Sequence, residues 1–223
     1  MFFLKLGYTE TKSHTDRFLH EDRKKFINMI LWKALPQEGF LQENCQKREK
    51  RGNNMGKYFG TDGFRGEANV TLTVEHAYKV GRFLGWYYGQ KNPQEVCRIV
   101  IGKDTRRSSY MFEYSLVAGL TASGAEAYLL HVTTTPSVSY VVRTEGFSCG
   151  IMISASHNPY YDNGIKVINE KGEKLEENVI EEIEKYLDGQ MEDLPFATRD
   201  HIGRTVDFAA GRNRYIGYLI AIA

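Results

Sequence analysis

Four short segments of this chain combine residue types that could hold or move an anion. In Tyr58-Phe-Gly-Thr-Asp-Gly-Phe-Arg-Gly, glycines stand at 60, 63 and 66 beside Arg65. Closely spaced glycines let main-chain N–H groups approach an anion, and a guanidinium can grip phosphate with two donors. The spacing is not G-x-G-x-x-G and does not lead from a strand into a helix, so a dinucleotide site fits poorly. A plain glycine-rich turn is the simpler alternative. In Ile153-Ser-Ala-Ser-His-Asn-Pro, Ser156 and His157 are adjacent, so their side chains project differently and make no ready nucleophile–base pair. A catalytic triad would bring its histidine from elsewhere, and no G-x-S-x-G elbow is present. Asn158-Pro159 could equally close an ordinary turn. Asp162-Asn-Gly-Ile-Lys-Val sets Lys166 within a short apolar strand, where lysine is seldom buried without a task or partner. It could also snorkel at a sheet edge. Gly102-Lys-Asp-Thr-Arg-Arg-Ser-Ser places three cations directly after a strand, or is simply a solvated loop.

The elements around these segments alternate. Thr73 is suited to cap a helix bearing Ala77, Val80, Phe83 and Leu84 at helical spacing. Arg98 to Gly102 reads as a short buried strand, and Ser108 to Ser123 as a helix with Phe112, Leu116, Val117 and Leu120 on one face. Gly124 to Leu130 is a second strand, and Pro136 sits in the first turn of a helix over 137–144. Strands follow at 150–153 and 164–168, with Asn163-Gly164 suited to begin a tight turn before the latter. An amphipathic helix spans 174–187 through Val179, Ile180, Ile183 and Leu187. This alternation predicts the α/β class, a layered mixed sheet flanked by helices. Ligands in such sheets sit at the carboxyl ends of strands. Segments 103–109, 133–136 and 154–159 each follow a strand, so the three loops are expected to converge on one edge.

Composition bounds the rest. The chain has 223 residues, 42% hydrophobic and 26% charged, with a formal net charge of +1. Near-neutral charge argues against a nucleic-acid partner, and no stretch approaches the roughly 20 apolar residues that cross a membrane. Cys45, Cys97 and Cys149 are far apart with no C-x-x-C, which suits reduced thiols in the cytoplasm. Residues 1–54 read as a non-native or disordered extension with one amphipathic stretch at 26–35. Lys47-Arg-Glu-Lys-Arg-Gly-Asn-Asn54 are residues of purine-rich codons, the pattern of a translated ribosome-binding site, so Met55 is the expected start. One domain is expected over 55–205, and residues 206–223 read as the first helix of a second domain, cut short.

The ordered set Phe59-Gly-Thr-Asp-Gly-Phe-Arg-Gly, Gly102-Lys-Asp-Thr-Arg, Thr133-Thr-Thr-Pro, Ser154-Ala-Ser-His-Asn-Pro and Asp162-Asn-Gly-Ile-Lys resembles the α-D-phosphohexomutase family. The opening Met55-Gly-Lys-Tyr-Phe-Gly-Thr-Asp-Gly resembles its branch that interconverts glucosamine 6-phosphate and glucosamine 1-phosphate. The resemblance implies that Ser156 carries a phosphate, passes it to a free hydroxyl of a sugar phosphate, and regains a phosphate from the resulting bisphosphate. It implies that Arg65 and Lys166 neutralise that phosphate, that Lys166 helps in proton transfer, and that His157 shapes the pocket. It implies Mg2+ on an oxygen of the Ser156 phosphate, with three aspartates of an Asp-Gly-Asp-Gly-Asp-Arg loop as further ligands. That loop does not occur in these 223 residues, so the polypeptide by itself is expected to show neither turnover nor tight Mg2+ binding. Phosphomannomutase or phosphoglucomutase activity, or a non-catalytic sugar-phosphate-binding module, remain alternatives, and the oligomeric state is open.

Overall fold

Short apolar runs bounded by helices build the centre of a mixed sheet. The computed structural model describes residues 56–223; the stretch at 26–35, Cys45 and the start expected at Met55 lie outside them. Strands β3 (Arg98–Lys103), β4 (Glu126–Val132) and β5 (Cys149–Ile153) run parallel, with β3 between the other two. Parallel neighbours need crossovers, and helices α2 (Ser109–Ala122) and α3 (Thr135–Glu145) supply them. Strand β6 (Asp162–Ile168) returns antiparallel to β5, and β2 (Gly63–Glu67) lies antiparallel to β6. Strand β1 (Phe59–Gly60) is the hairpin partner of β2, and β7 (Thr205–Asp207) pairs parallel with β4 at the far edge. The sheet order is β1-β2-β6-β5-β3-β4-β7.

Helices cover both faces. Phe64, Ile99, Ile101, Ile151, Ile153 and Ile165 share a buried cluster with α1 (Val74–Lys91), α2 and α4 (Glu177–Leu187). On the opposite face Val100, Leu130 and Met152 meet Val138, Val141 and Val142 of α3. Helix α1 starts as its sequence predicts: Thr73 Oγ1 accepts the His76 N–H at 3.3 Å, and the Thr73 N–H donates to the His76 ring at 3.2 Å. The α1–α2 contact depends on the absence of side chains, because a Cβ on Gly119 would run into the Tyr78 carbonyl and one on Gly81 into that of Leu116.

Three local expectations give way. Asn163-Gly164 begins no turn: both residues lie in β6, opposite Gly66 and Arg65. The Asn163 amide is buried and donates to Ser108 Oγ at 2.9 Å and Ser109 Oγ at 3.0 Å, which holds the residue inside the sheet. The glycine-rich 58–66 segment is an antiparallel hairpin, closed by Thr61 and Asp62. Thr205–Asp207 is a strand where a helix over 206–223 was expected, and helix α5 begins at Ala209 and runs to Ile222. Asp207 Oδ1 accepts the Ala209 N–H at 3.1 Å, which marks the change from strand to helix. Among the described residues no helix is long and apolar enough to cross a membrane.

Candidate active site

The chain leaves β5 still buried, with Ser154 at 8% exposure and Ala155 at 0%, and then surfaces: Ser156 and His157 are exposed. Ser156 has a φ of +57°. A residue with a Cβ holds that left-handed conformation at roughly 1–2 kcal/mol, so the surrounding loop must enforce it. The Ser156 N–H donates to Ser154 Oγ at 3.1 Å, and the Asn158 N–H to the Ala155 carbonyl at 3.1 Å. Asn158 Nδ2 donates to Asp162 Oδ2 at 2.8 Å, which closes the loop back onto the start of β6.

Arg65 reaches this loop from β2. Phe64 and Ile165 are paired and turn into the core, so alternation puts Arg65, Gly164 and Lys166 on the other face of the sheet. Gly164 lies directly opposite Arg65, and a Cβ there would come within 3.0 Å of Arg65 Cγ and 2.8 Å of the Ser154 carbonyl. Its bare surface lets the arginine cross. Arg65 Nη1 donates to Asn158 Oδ1 at 3.0 Å, Nη2 to Asp62 Oδ2 at 2.5 Å, and Nε is buried without a partner. Lys166, half-buried, is opposite Met152 and adjoins Gly63, where a Cβ would stand 3.1 Å from its Cγ. Ser156 and His157 thus follow directly on β5, Arg65 is bonded to Asn158 of their loop, and Lys166 lies on the same face of the sheet as Arg65.

The other two loops join the same edge. The Asp104 N–H donates to the Ile153 carbonyl at 3.0 Å, and the Thr133 N–H to the Lys103 carbonyl at 2.9 Å. The Gly102–Ser109 segment is not a plain solvated loop. Lys103 turns inward to Glu113 at 2.6 Å, with side chains 1% and 2% exposed. Arg106 extends across to donate to main-chain carbonyls of the Ser156 loop. Among the described residues no three His, Cys, Asp or Glu side chains stand together as a cation site, and Asp62 and Asp162 are engaged by Arg65 and Asn158.

Residues 56–193 match the phosphoglucomutase/phosphomannomutase family, α/β/α domain I. The chain belongs to this family. Phosphoglucosamine mutase from Lachnospira eligens is 78% identical over 169 residues, covering 76% of this chain and 38% of that protein. Phosphoglucosamine mutase from Lachnoclostridium phytofermentans is 73% identical over 169 residues, covering 76% and 37%. This chain thus spans a little over a third of the length of these relatives. A phosphoglucomutase/phosphomannomutase family protein of known structure from Burkholderia thailandensis superposes with a TM-score of 0.59 at 19% identity, covering 74% of this chain and 35% of that one, and shares the fold.

Sequence reasoning did not anticipate the residues that hold the Ser156 loop and its neighbours in place. Asn163 read as a turn residue, and its burial beside two serines is set by residues more than 50 positions earlier. Glu113 gave no signal inside an otherwise ordinary helix. Arg106 stood in a quoted motif as one cation among three, and nothing local told it from Lys103, which is buried, or Arg107, which is exposed.

Proposed function

We propose that this chain carries the phosphoserine part of a phosphoglucosamine mutase, with a sugar phosphate as substrate and amino-sugar supply for cell-wall precursors as its setting in the cytoplasm. One observation carries the reading: an exposed serine held in a left-handed conformation, in a loop anchored to an arginine whose buried Nε has no partner. An orphaned buried donor is unfavourable until an acceptor arrives, and a phosphate oxygen is the acceptor a guanidinium suits best.

Phosphoryl transfer needs positioning and neutralised charge more than covalent help. In the first half-reaction the Ser156 Oγ–P bond breaks as a substrate hydroxyl oxygen bonds to phosphorus. The hydroxyl proton passes by way of Lys166, which takes it as an amine and, as the ammonium so formed, delivers it to the departing Ser156 oxygen, so that Ser156 regains a hydroxyl. The second half-reaction runs the other way from the other phosphate of the bisphosphate. Arg65 and Lys166 offset charge on the moving group, and His157 borders the pocket. Magnesium, bound through an oxygen of the Ser156 phosphate, would add charge neutralisation; the described residues do not form a site for it, and no step here passes through it.

The test is label transfer from glucose 1,6-bisphosphate carrying radioactive phosphorus. Label on the chain that maps to Ser156 and vanishes in Ser156→Ala supports the reading, with uptake slowed at least about tenfold in Arg65→Ala. Binding of the bisphosphate without labelling would instead favour a sugar-phosphate-binding module.

A further inference from the structure

Arg106 has a guanidinium with nothing left to give. Arginine offers five N–H donors in a fixed plane, and each has an acceptor here. Nε donates to Asp104 Oδ2 at 3.1 Å, Nη2 to the carbonyls of Ser156 at 3.0 Å and Asn158 at 2.8 Å, and Nη1 to those of Asp162 at 3.0 Å and of Pro159. Four main-chain oxygens of one short loop thus converge on one cation. Arg65 is the opposite case, with a donor still unpartnered. The cation under the loop is itself fixed in place: Asp104 Oδ1 accepts the Arg106 N–H at 3.0 Å and the Ser109 hydroxyl at 2.8 Å. Ser109 Oγ in turn accepts from Asn163 at 3.0 Å, which joins the chain of bonds to β6.

Two consequences follow from chemistry. A left-handed serine relaxes most easily by rotating its peptide planes, and bonds to the Ser156 and Asn158 carbonyls oppose that rotation on the C-terminal side. Engaging four carbonyl oxygens with a cation also cancels negative partial charge beside the residue that would carry the phosphate. Lysine could do neither, since its three donors radiate from one atom and cannot span four separate acceptors.

We propose that Arg106 is the positioning residue of the serine loop: its guanidinium holds Ser156 in the left-handed conformation and takes no part in contacting the phosphate. Its functional meaning rests on the reading of Ser156 as phosphate carrier, so the test has two arms. Amide hydrogen exchange of the unaltered chain is compared with Arg106→Lys and Arg106→Ala. The amides of Ser156, Asn158 and Asp162 exchange at least about tenfold faster in both variants, while Val100 and Ile101 in β3 keep their protection. Methylguanidinium restores loop protection in Arg106→Ala. Unchanged loop exchange in Arg106→Lys overturns the proposal, as does equal acceleration of loop and β3, which marks a merely structural arginine. The second arm is labelling from radioactive glucose 1,6-bisphosphate, expected to slow about tenfold or more in Arg106→Lys, because misplacing a reacting group is costly. If the unaltered chain labels and Arg106→Lys labels equally fast, the positioning role falls and the phosphate-carrier reading stands. If the unaltered chain takes no label, that reading falls, and exchange alone decides the role of Arg106.

Discussion

Two arginines of this fold each collect main-chain carbonyls with one guanidinium, and their surroundings differ. Arg82 in α1 is 2% exposed; it donates to the carbonyls of Leu194 at 2.5 Å, Pro195 at 3.2 Å and Ala122 at 3.1 Å, and to Ser123 Oγ at 2.7 Å. The Phe196 ring lies 3.9 Å from its guanidinium carbon. Arg82 thereby ties the end of α2 and the stretch after α4 onto α1, inside the protein. Arg106 makes the same kind of bonds at the rim, to a loop that water also reaches. Carbonyls deprived of a buried donor stay unsatisfied, whereas those at a rim are rehydrated. One device therefore consolidates the fold in the first setting and shapes a site at little expense to stability in the second.

The contrast is sharpest where burial is most complete. Glu113→Gln leaves the Lys103 ammonium without its counter-charge in a 1%-exposed position, and should lower unfolding free energy by about 3–5 kcal/mol in urea titration. Arg82→Met should lower it by about 2–3 kcal/mol, since several buried acceptors lose their donor. Arg106→Met should lower it by only about 1 kcal/mol; equal losses for the two arginines would erase the distinction drawn between them. Ser156→Gly should raise stability by up to about 1 kcal/mol by relieving the left-handed strain, and a loss there would mean the loop stores none. The smallest effect concerns Cys97, whose thiol burial pushes up to about 11. The folded state favours the neutral thiol, so this contribution is intact below the ordinary thiol value and disappears as pH rises toward 11. Iodoacetamide labelling at pH 8 should be roughly a hundredfold slower than for a free thiol.

Much of this could be read from the residues. Period and apolar spacing located α1, α2 and the parallel strands, and the order of strands and helices gave the layered class. The converging loops followed from the rule that ligands gather at carboxyl ends. What local pattern could not supply was pairing at a distance. Asn-Gly is a strong turn signal until another strand claims both residues, as β2 claims Asn163 and Gly164. The hairpin of β1 and β2 was hidden because two glycine-rich strands of two and five residues carry almost no alternation. Thr205–Asp207 was too short to register against the helical pattern that follows it. At the candidate site, the residue types of the serine loop stood out in the sequence, while the groups that hold it, Arg106 and Asn163 among them, became visible only once bonded.

Arg65 and Asn158 meet across 93 positions of chain. A ribosome releases residues in order, so the arginine emerges long before the strand that will hold it. Until residue 168 has cleared the exit tunnel, β2 lacks the neighbour that will flank it and its hairpin is an open edge. The contact between Arg65 and the serine loop therefore cannot form until β6 has followed Arg65 out of the tunnel, and a nascent chain stalled before that point would display the guanidinium without the loop it meets.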